Sequence, residues 1–191
     1  MAKWRVKMEG KRIGLDLDGV LYPFSTVCFN LINEAHGYKF DEIEFWRRKR
    51  SSNRFFGKHR EEIDRFVRDP NTYLGAQVDI NDIRVLNSLA MYNEIFYITT
   101  RSLHLEPVTK LWLMSNGMPH EENLFMGYSD KKDIIKELKI DVYVDDREEI
   151  VRDVMKVTDA YLFHAKYLTR EDVINSGLPY ISTLNSLLLL E

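Results

Sequence analysis

The alternation of hydrophobic and polar positions near the start of the chain predicts a short β-strand. Hydrophobic residues at 13, 15 and 17 alternate with Gly14, Asp16 and Asp18, which is the two-residue period of an extended strand. Gly19 follows the second aspartate and predicts a turn. A plain surface turn is the simpler interpretation, but an apolar strand that runs into two aspartates and a glycine is unusual for one. This segment is therefore the first candidate for a functional site.

A helical period replaces this alternation in the next segment of the chain. The pattern over 25–36 predicts a helix that Ser25 or Thr26 caps and a following glycine ends. A charged helical pattern continues over 41–68 and stops at an Asp-Pro-Asn break. No convincing strand pattern occurs over 23–75, so this segment is predicted to be a helical insertion.

Helices and strands alternate regularly in the remainder of the chain. The pattern predicts strands over 95–98, 123–126, 140–144 and 160–163, helices over 80–91, 105–116 and 148–157, a helix through Leu138 capped by Ser129 or Asp130, and a short final helix from Ser182 to Leu190. Strands separated by helices favour a parallel sheet with helices on both faces, so the predicted class is α/β. The predicted core domain comprises residues 1–22 and 76–191, and the helical insertion comprises 23–75.

The composition narrows the class of protein. The chain has 191 residues, of which 45% are hydrophobic, and this is enough for a sizeable core. Its formal net charge of -3 gives no general attraction to nucleic acid. The single cysteine, Cys28, excludes an intramolecular disulfide, and its apolar neighbours predict a small core residue. Neither an apolar signal-peptide run nor a stretch long enough to span a bilayer is present, so a cytoplasmic protein is expected.

Polar side chains follow three of the predicted strands at the point where each strand ends. They are Asp16 and Asp18 after the first strand, Thr99 and Thr100 after the second, Asp145 and Asp146 after a later one, with Lys131 and Lys132 at the start of a helix. The carboxyl ends of parallel strands meet at one edge of a sheet, where ligands bind in such folds. Carboxylate oxygens are ligands that Mg²⁺ prefers. The order of these groups predicts a magnesium site at this edge, with Asp16, Asp18, Asp145 and Asp146 around the ion.

Carboxylates gathered around magnesium suit phosphoryl transfer. One carboxylate can attack phosphorus, and a second can protonate the leaving oxygen and later activate water. A threonine hydroxyl and a lysine can bind the phosphoryl oxygens. Each group also has an ordinary explanation by itself, as a turn residue, a solvated helix lysine or a helix cap. The four groups together favour the functional interpretation.

The segments Asp16-Leu17-Asp18-Gly19-Val20, Ile98-Thr99, Lys131 and Val144-Asp145-Asp146 together resemble the haloacid dehalogenase-like phosphatase superfamily. The resemblance implies a Rossmann-like core, magnesium dependence and a helical cap at 23–75. It implies that Asp16 is the nucleophile and that Asp18 is the acid/base, with its main-chain carbonyl as a metal ligand. It also implies phosphate binding by Thr99 and Lys131, metal ligation by Asp146, and positioning of metal-bound water by Asp145.

Within that superfamily the chain is most similar to the 5'(3')-deoxyribonucleotidases. Phe24 stands where that group has a phenylalanine, and Phe45-Trp46 matches a Phe-Trp pair of its cap that helps enclose the base. Asp145-Asp146-Arg147 matches its fourth motif. The chain departs from the group at its second motif, where Thr99-Thr100-Arg101 replaces Thr-Ser-Pro. Arg101 in place of proline is expected to change the shape of the loop after the second strand and the substrate preference. Thr100 is expected to replace the serine hydroxyl.

The combined expectation is a magnesium-dependent phosphoric monoester hydrolase of the 5'-nucleotidase type. It would act on nucleoside monophosphates through an aspartyl phosphate, with Phe24, Phe45 and Trp46 contacting the substrate. Two alternatives stay open: a phosphatase for another small ester or a polynucleotide end, and a non-catalytic phospho-ligand-binding domain of the same fold. The expected partner is a small-molecule nucleotide, without a membrane or a nucleic acid, and a homodimer stays open.

Overall fold

The central feature of the fold is a six-stranded parallel sheet. The structure is a computed structural model that describes residues 9–38, 41–45, 53–165 and 168–190. The strands are β1 (Arg12–Leu15), β2 (Glu94–Thr99), β3 (Leu124–Met126), β4 (Val142–Asp145), β5 (Asp159–Phe163) and β6 (Tyr180–Ile181), in the spatial order β3-β2-β1-β4-β5-β6. All neighbouring strands are parallel. The first strand of the sequence is thus central, between β2 and β4.

In the described part of the chain, helices connect or precede these strands. They are α1 (Phe24–His36), α2 (Asn53–Arg68), α3 (Ile80–Ala90), α4 (Glu106–Ser115), α5 (Lys131–Glu137), α6 (Glu148–Val154) and α7 (Arg170–Asn175). Short 3₁₀ turns lie at Pro70–Tyr73, Leu103–Leu105 and Leu184–Leu189, and residues 42–45 are helical. Among the helices described here, none is long and apolar enough to cross a membrane.

Alternate residues of the strands pack into two different hydrophobic layers. Ile13 and Leu15 of β1 belong to the layer that includes Leu86 of α3 and Leu113 of α4. Neighbouring positions of β2 and β4 face the other layer, which includes residues of α5, α6 and α7 such as Val151. The sheet therefore has helices on both faces, which confirms the predicted α/β class.

Gly14 lies between Ile13 and Leu15 of β1, and a side chain at this position would collide with residues of the other layer. A Cβ atom at this position would lie 2.8 Å from Cδ2 of Tyr143 and 3.1 Å from Cγ2 of Ile140. The ring of Tyr143 is completely buried on β4. Gly14 therefore makes room for an aromatic ring against the central strand.

A third, smaller hydrophobic cluster lies within the helical insertion. Cys28 and Ile32 of α1, Phe45 of residues 42–45 and Ile63 of α2 are all buried in it. The prediction that Cys28 is a core residue is confirmed. The boundaries of the predicted cap and core, at 22/23 and 75/76, stay a prediction.

The start of α1 and the final segment differ from the prediction, and α6 ends at Val154, three residues before its predicted end. Pro23 precedes α1 without a side-chain cap, because the hydroxyls of Ser25 and Thr26 instead donate to the carboxylate of Glu42. The final segment is a 3₁₀ turn preceded by Thr183, without a side-chain cap, rather than a helix capped by serine. The preceding region also contains α7 and β6, which the sequence did not predict. Strand β6 has two residues, which is too short for an alternating pattern.

Candidate active site

The carboxyl ends of β1, β2 and β4 meet at the centre of the sheet and bring three carboxylates together. Asp16 directly follows β1, its main-chain N–H donates to Val144 of β4 at 2.9 Å, and Asp145 is the last residue of β4. One carboxylate oxygen from each of Asp16, Asp145 and Asp146 lies within 4.8 Å of the others, and all three side chains are buried. Parallel pairing of the strands thus brings together three of the four carboxylates that the sequence predicted around the ion, and the Asp18 carboxylate is paired with Arg101 instead.

Lys131 supplies the positive charge inside this cluster. It is the first residue of α5, and the side chain of Asp130 caps that helix by accepting from the main-chain N–H of Lys132. The ammonium of Lys131 lies 2.7 Å from Oδ1 of Asp16 and 2.8 Å from Oδ2 of Asp145, and its side chain is 1% exposed. Lys132 instead pairs with Asp153 on α6. The structure therefore places Lys131 at the site and Lys132 outside it.

Asp145 is held by three hydrogen-bond donors. Besides Lys131, the hydroxyl of Tyr143 donates to Oδ2 at 3.0 Å and the main-chain N–H of Arg147 donates to Oδ1 at 3.0 Å. Burial, followed by the charges of Asp145 and Asp16, raises the pKa of Tyr143 well above its ordinary value, so the hydroxyl keeps its proton. Tyr143 was not among the residues predicted from the sequence, although its position two residues before Asp145 on a strand places both side chains on one face.

Asp16 is in an environment that disfavours its charge. Burial raises the pKa of Asp16 from 3.8 to about 7, with Asp145 and Asp18 adding to the shift and Lys131 opposing it. Three carboxylates and one ammonium carry a formal charge of −2 when all are ionised. A divalent cation would neutralise that charge, and an all-oxygen donor set suits Mg²⁺. The residues present therefore fit the metal that the resemblance implies.

Gly19 permits Asp146 to approach the loop after β1. The glycine has a φ of +94°, and a Cβ atom there would lie 1.8 Å from Oδ2 of Asp146. The main-chain carbonyl of Leu17 accepts hydrogen bonds from the N–H groups of Leu21 and Tyr22, which form the turn predicted after the second aspartate. Both the backbone conformation and the space require glycine at this position.

Asp18 lies apart from the three clustered carboxylates and is bound by Arg101. The guanidinium Nε donates to Oδ2 of Asp18 at 2.9 Å, and Nη2 donates to Oδ1 at 2.7 Å. The side chain of Arg101 is 1% exposed, whereas that of Asp18 is 24% exposed. The sequence reasoning noted Arg101 only as a departure from a motif. Its contact with Asp18 gives it a place in the site.

The two threonines of the second motif have different environments. Thr99 is completely buried, and its hydroxyl oxygen accepts a hydrogen bond from the main-chain N–H of Arg101 at 3.2 Å. Thr100 is exposed and lines a cavity that opens at the acidic cluster. Thr100 is thus better placed than Thr99 to contact a ligand in this cavity.

The cavity extends from the acidic cluster to the helical insertion. It has a volume of about 670 Å³, and Asp16, Asp18 and Asp146 line its core side. Phe24 and Val67 are among the apolar residues of the insertion that line it. Its walls therefore combine carboxylates with an apolar surface.

The structure corrects one of the three predicted aromatic contacts with a substrate. Phe24 lines the cavity and stacks on Tyr73, with ring centroids 6.0 Å apart. Phe45 is completely buried in the small cluster of the insertion, where it makes an edge contact with Phe29 at 5.4 Å. A base cannot stack on a ring that is enclosed in this way, so the prediction for Phe45 is wrong. Trp46 lies outside the described residues.

Comparison with known proteins gives distant relatives and a common fold. No family model matches the chain. "Putative nucleotidase BH1399" of Halalkalibacterium halodurans is 26% identical over 143 residues, which cover 73% of this chain and 71% of that protein. "Putative nucleotidase OB0422" of Oceanobacillus iheyensis is 29% identical over 167 residues, which cover 79% of this chain and 85% of that protein.

A solved structure extends the comparison to the whole fold. The haloacid dehalogenase-like hydrolase SP0104 of Streptococcus pneumoniae has a TM-score of 0.67 at 13% sequence identity, and the match covers 94% of this chain and 97% of that protein. The chain therefore has the haloacid dehalogenase-like fold. The fold that the sequence motifs implied, that of the haloacid dehalogenase-like superfamily, is thus confirmed.

Proposed function

We propose that this protein is a magnesium-dependent phosphatase that hydrolyses nucleoside monophosphates through an aspartyl phosphate. The observation that carries the proposal is the position of Asp16. Its buried carboxylate directly follows the central strand, lies 2.7 Å from the ammonium of Lys131 and borders a cavity large enough for a small ligand. A nucleophile, a fixed cation and a binding space are thus adjacent.

The residues around Asp16 have complementary roles in this proposal. Asp16 attacks phosphorus, so that an acyl phosphate forms as the bond to the leaving oxygen breaks. Asp18 gives a proton to that oxygen, and later takes one from the water that hydrolyses the acyl phosphate and releases inorganic phosphate. Lys131 offsets the charge on the phosphoryl oxygens, and Thr100 donates a hydrogen bond to one of them.

Magnesium would be held by the carboxylates of Asp16 and Asp146 and by the main-chain carbonyl of Asp18. A bound Mg²⁺ would supply positive charge next to the phosphoryl oxygens and would relieve the repulsion among the carboxylates. Asp145 already accepts three hydrogen bonds from the protein. In this proposal it therefore orients Lys131 and the water near the ion.

The nucleotide part of the proposal is supported by the apolar side of the cavity and by the relatives whose names contain the word nucleotidase. A base needs a flat apolar surface, and Phe24 presents one at the wall of the cavity. The lone, buried Cys28 is in keeping with a reducing cytoplasm.

The test is a measurement of phosphate release from a panel of substrates. The panel contains 5'- and 3'-phosphates of ribo- and deoxyribonucleosides, p-nitrophenyl phosphate, a sugar phosphate and a 3'-phosphorylated oligonucleotide, each with Mg²⁺ or with EDTA. We expect magnesium-dependent hydrolysis with the highest kcat/KM for one nucleoside monophosphate, and no turnover by a folded Asp16→Asn variant. Equal kcat/KM for all small esters would refute the nucleotide assignment, and full activity of Asp16→Asn would refute the covalent mechanism.

A further inference from the structure

The most unusual contact of the site is the double hydrogen bond between Arg101 and Asp18. The two N–H···O distances are 2.9 and 2.7 Å, and each carboxylate oxygen accepts one of them. Such a fork fixes both the position and the plane of a carboxylate, which one lysine ammonium cannot do. A carboxylate has about four lone-pair sites, so Arg101 uses two of them, and Asp18 also lines the cavity.

The guanidinium of Arg101 is itself held between aromatic rings. Its central carbon lies 4.2 Å from the ring centroid of Tyr73, 4.9 Å from that of Tyr22 and 5.8 Å from that of Trp112. A third nitrogen, Nη1, donates to the hydroxyl of Thr109 at 3.3 Å. We call Tyr22, Tyr73 and Trp112 the aromatic cage. The cage and the hydroxyl leave the guanidinium little freedom to turn away from Asp18.

The aromatic cage is anchored to one short segment of the chain. The hydroxyl of Tyr73 donates to the carbonyl of Val67 at 3.0 Å, and the indole N–H of Trp112 donates to the carbonyl of Ala76 at 2.6 Å. The hydroxyl of Tyr22 donates to the carbonyl of Thr72. Residues 67–76 lead from the end of α2 back towards the sheet, so one segment at the end of the predicted insertion holds all three rings around Arg101.

Burial makes the pair strongly interdependent. Arg101 is almost inaccessible to water. Among the ion pairs of the described residues, Asp18 is the only carboxylate partner of Arg101. Removing one partner of a buried ion pair leaves an uncompensated charge, which is much more costly than removing both. Arg101 is among the residues that line the cavity, but its side chain is only 1% exposed, so it is poorly placed to leave its carboxylate and bind a substrate.

From this geometry we propose that Arg101 is the positioning residue of Asp18, setting the direction in which that carboxylate exchanges a proton with the substrate. This inference rests on the proposed function. Arg101 acts through Asp18 and does not contact the phosphate. The arginine that replaces proline in the second motif is then a part of the catalytic apparatus rather than a change in loop shape.

The kinetic test compares Arg101→Lys and Arg101→Met with the control Arg152→Lys. Arg152 also pairs with a carboxylate, that of Glu148, but the pair is exposed on α6. The substrates are the preferred nucleoside monophosphate, whose alkoxide leaving group needs a proton, and p-nitrophenyl phosphate, whose phenolate does not. Rapid-mixing measurements separate release of p-nitrophenol from hydrolysis of the acyl phosphate.

For both Arg101 variants we expect kcat on the nucleotide to fall by about 10²- to 10⁴-fold, the range of acid–base catalysis, with KM nearly unchanged. The fast release of p-nitrophenol should be almost unaffected, while the later hydrolysis of the acyl phosphate slows. Arg152→Lys should behave like the wild type. An increase in KM with unchanged kcat would mean that Arg101 binds phosphate, and full activity of Arg101→Lys would mean that charge alone suffices. Either result overturns the proposal.

A double-mutant cycle tests the pair without any turnover. Melting temperatures are measured for Asp18→Asn, Arg101→Met and the double variant. We expect Asp18→Asn to lower the melting temperature, and the double variant to melt at a higher temperature than Asp18→Asn alone, because the unpaired charge is gone. Additive effects would overturn the proposal.

The two tests distinguish this inference from the proposed function. A wild type that hydrolyses none of the esters overturns the proposed function, and with it the catalytic part of the inference, whatever the cycle gives. An active wild type combined with an additive cycle, or with unchanged kcat in the Arg101 variants, overturns the role of Arg101 alone.

Discussion

The buried carboxylate of Asp16 should make the stability of the metal-free protein depend on pH, and one substitution should remove this dependence. Burial, reinforced by Asp145 and Asp18 and opposed by Lys131, raises the pKa of Asp16 from 3.8 to about 7. The unfolded chain loses this proton near pH 4. Between about pH 4 and 7 the native state therefore holds a proton that the unfolded state lacks, so stability falls as the pH rises through this window.

The size of the effect follows from proton linkage. One proton difference changes the free energy of unfolding by about 1.4 kcal/mol per pH unit. In EDTA, the stability of Asp16→Asn relative to the wild type should therefore increase by up to about 1.4 kcal/mol for each unit between pH 5 and 7, and stay constant above that. Urea unfolding at half-unit pH steps, followed by circular dichroism, measures this difference.

Magnesium should stabilise the wild type more than it stabilises Asp16→Asn. The ion binds the ionised cluster of the native state, so at pH 8 a concentration of 100 times Kd stabilises the wild type by about 2.7 kcal/mol. Asp16→Asn lacks one carboxylate and should gain much less. Adding Mg²⁺ should also raise the melting temperature of the wild type more than that of Asp16→Asn.

Asp82 provides a matched control on α3. Burial and then the charge of Asp79 raise the pKa of Asp82 to about 6, but no metal cluster of the described residues includes it. Asp82→Asn should change the pH dependence of stability and leave the magnesium response as in the wild type. Parallel pH curves for Asp16→Asn and the wild type in EDTA would refute the assignment of the proton to Asp16, and equal magnesium responses would refute the metal site.

Three further tests concern other parts of the site. Lys131→Met should abolish turnover while Lys132→Met keeps it, and comparable kcat values for the two variants would contradict the role of Lys131. Gly19→Ala should lower magnesium affinity and kcat by at least about tenfold, because the new Cβ would lie 1.8 Å from Oδ2 of Asp146 and must displace that carboxylate. Calorimetry with Mg²⁺ measures the affinity and steady-state kinetics measure kcat. Wild-type values for both would disprove the requirement for glycine. Trp46→Ala should lower kcat/KM for the nucleotide by about 5- to 150-fold through lost stacking and that for p-nitrophenyl phosphate much less, whereas equal losses would indicate packing of the insertion.

Local patterns in the sequence were sufficient for most of the elements of the core. The strands around Ile98 and Val144 are buried on both sides, so each is a compact apolar run bounded by polar residues. The strand around Ile13 was recognised from its alternation with Gly14 and Asp16. The helix ends at Gly37 and Asp130 were predicted because a left-handed glycine and an aspartate cap act within a few residues. Three of the four carboxylates of the acidic cluster were also predictable, because parallel strands bring their carboxyl ends to one edge.

Contacts between distant parts of the chain decided which side chains of the site meet. No local pattern shows that Arg101 binds a carboxylate 83 positions earlier, or that rings from three other elements surround it. The choice of Lys131 over its neighbour likewise depends on how α5 is set against β4. Phe45 has the same local character whether it faces a cavity or the interior of the insertion. The sequence by itself determined which chemical groups the site contains, and the tertiary structure decided which of them meet, because the direction of a side chain depends on how the helices and strands pack.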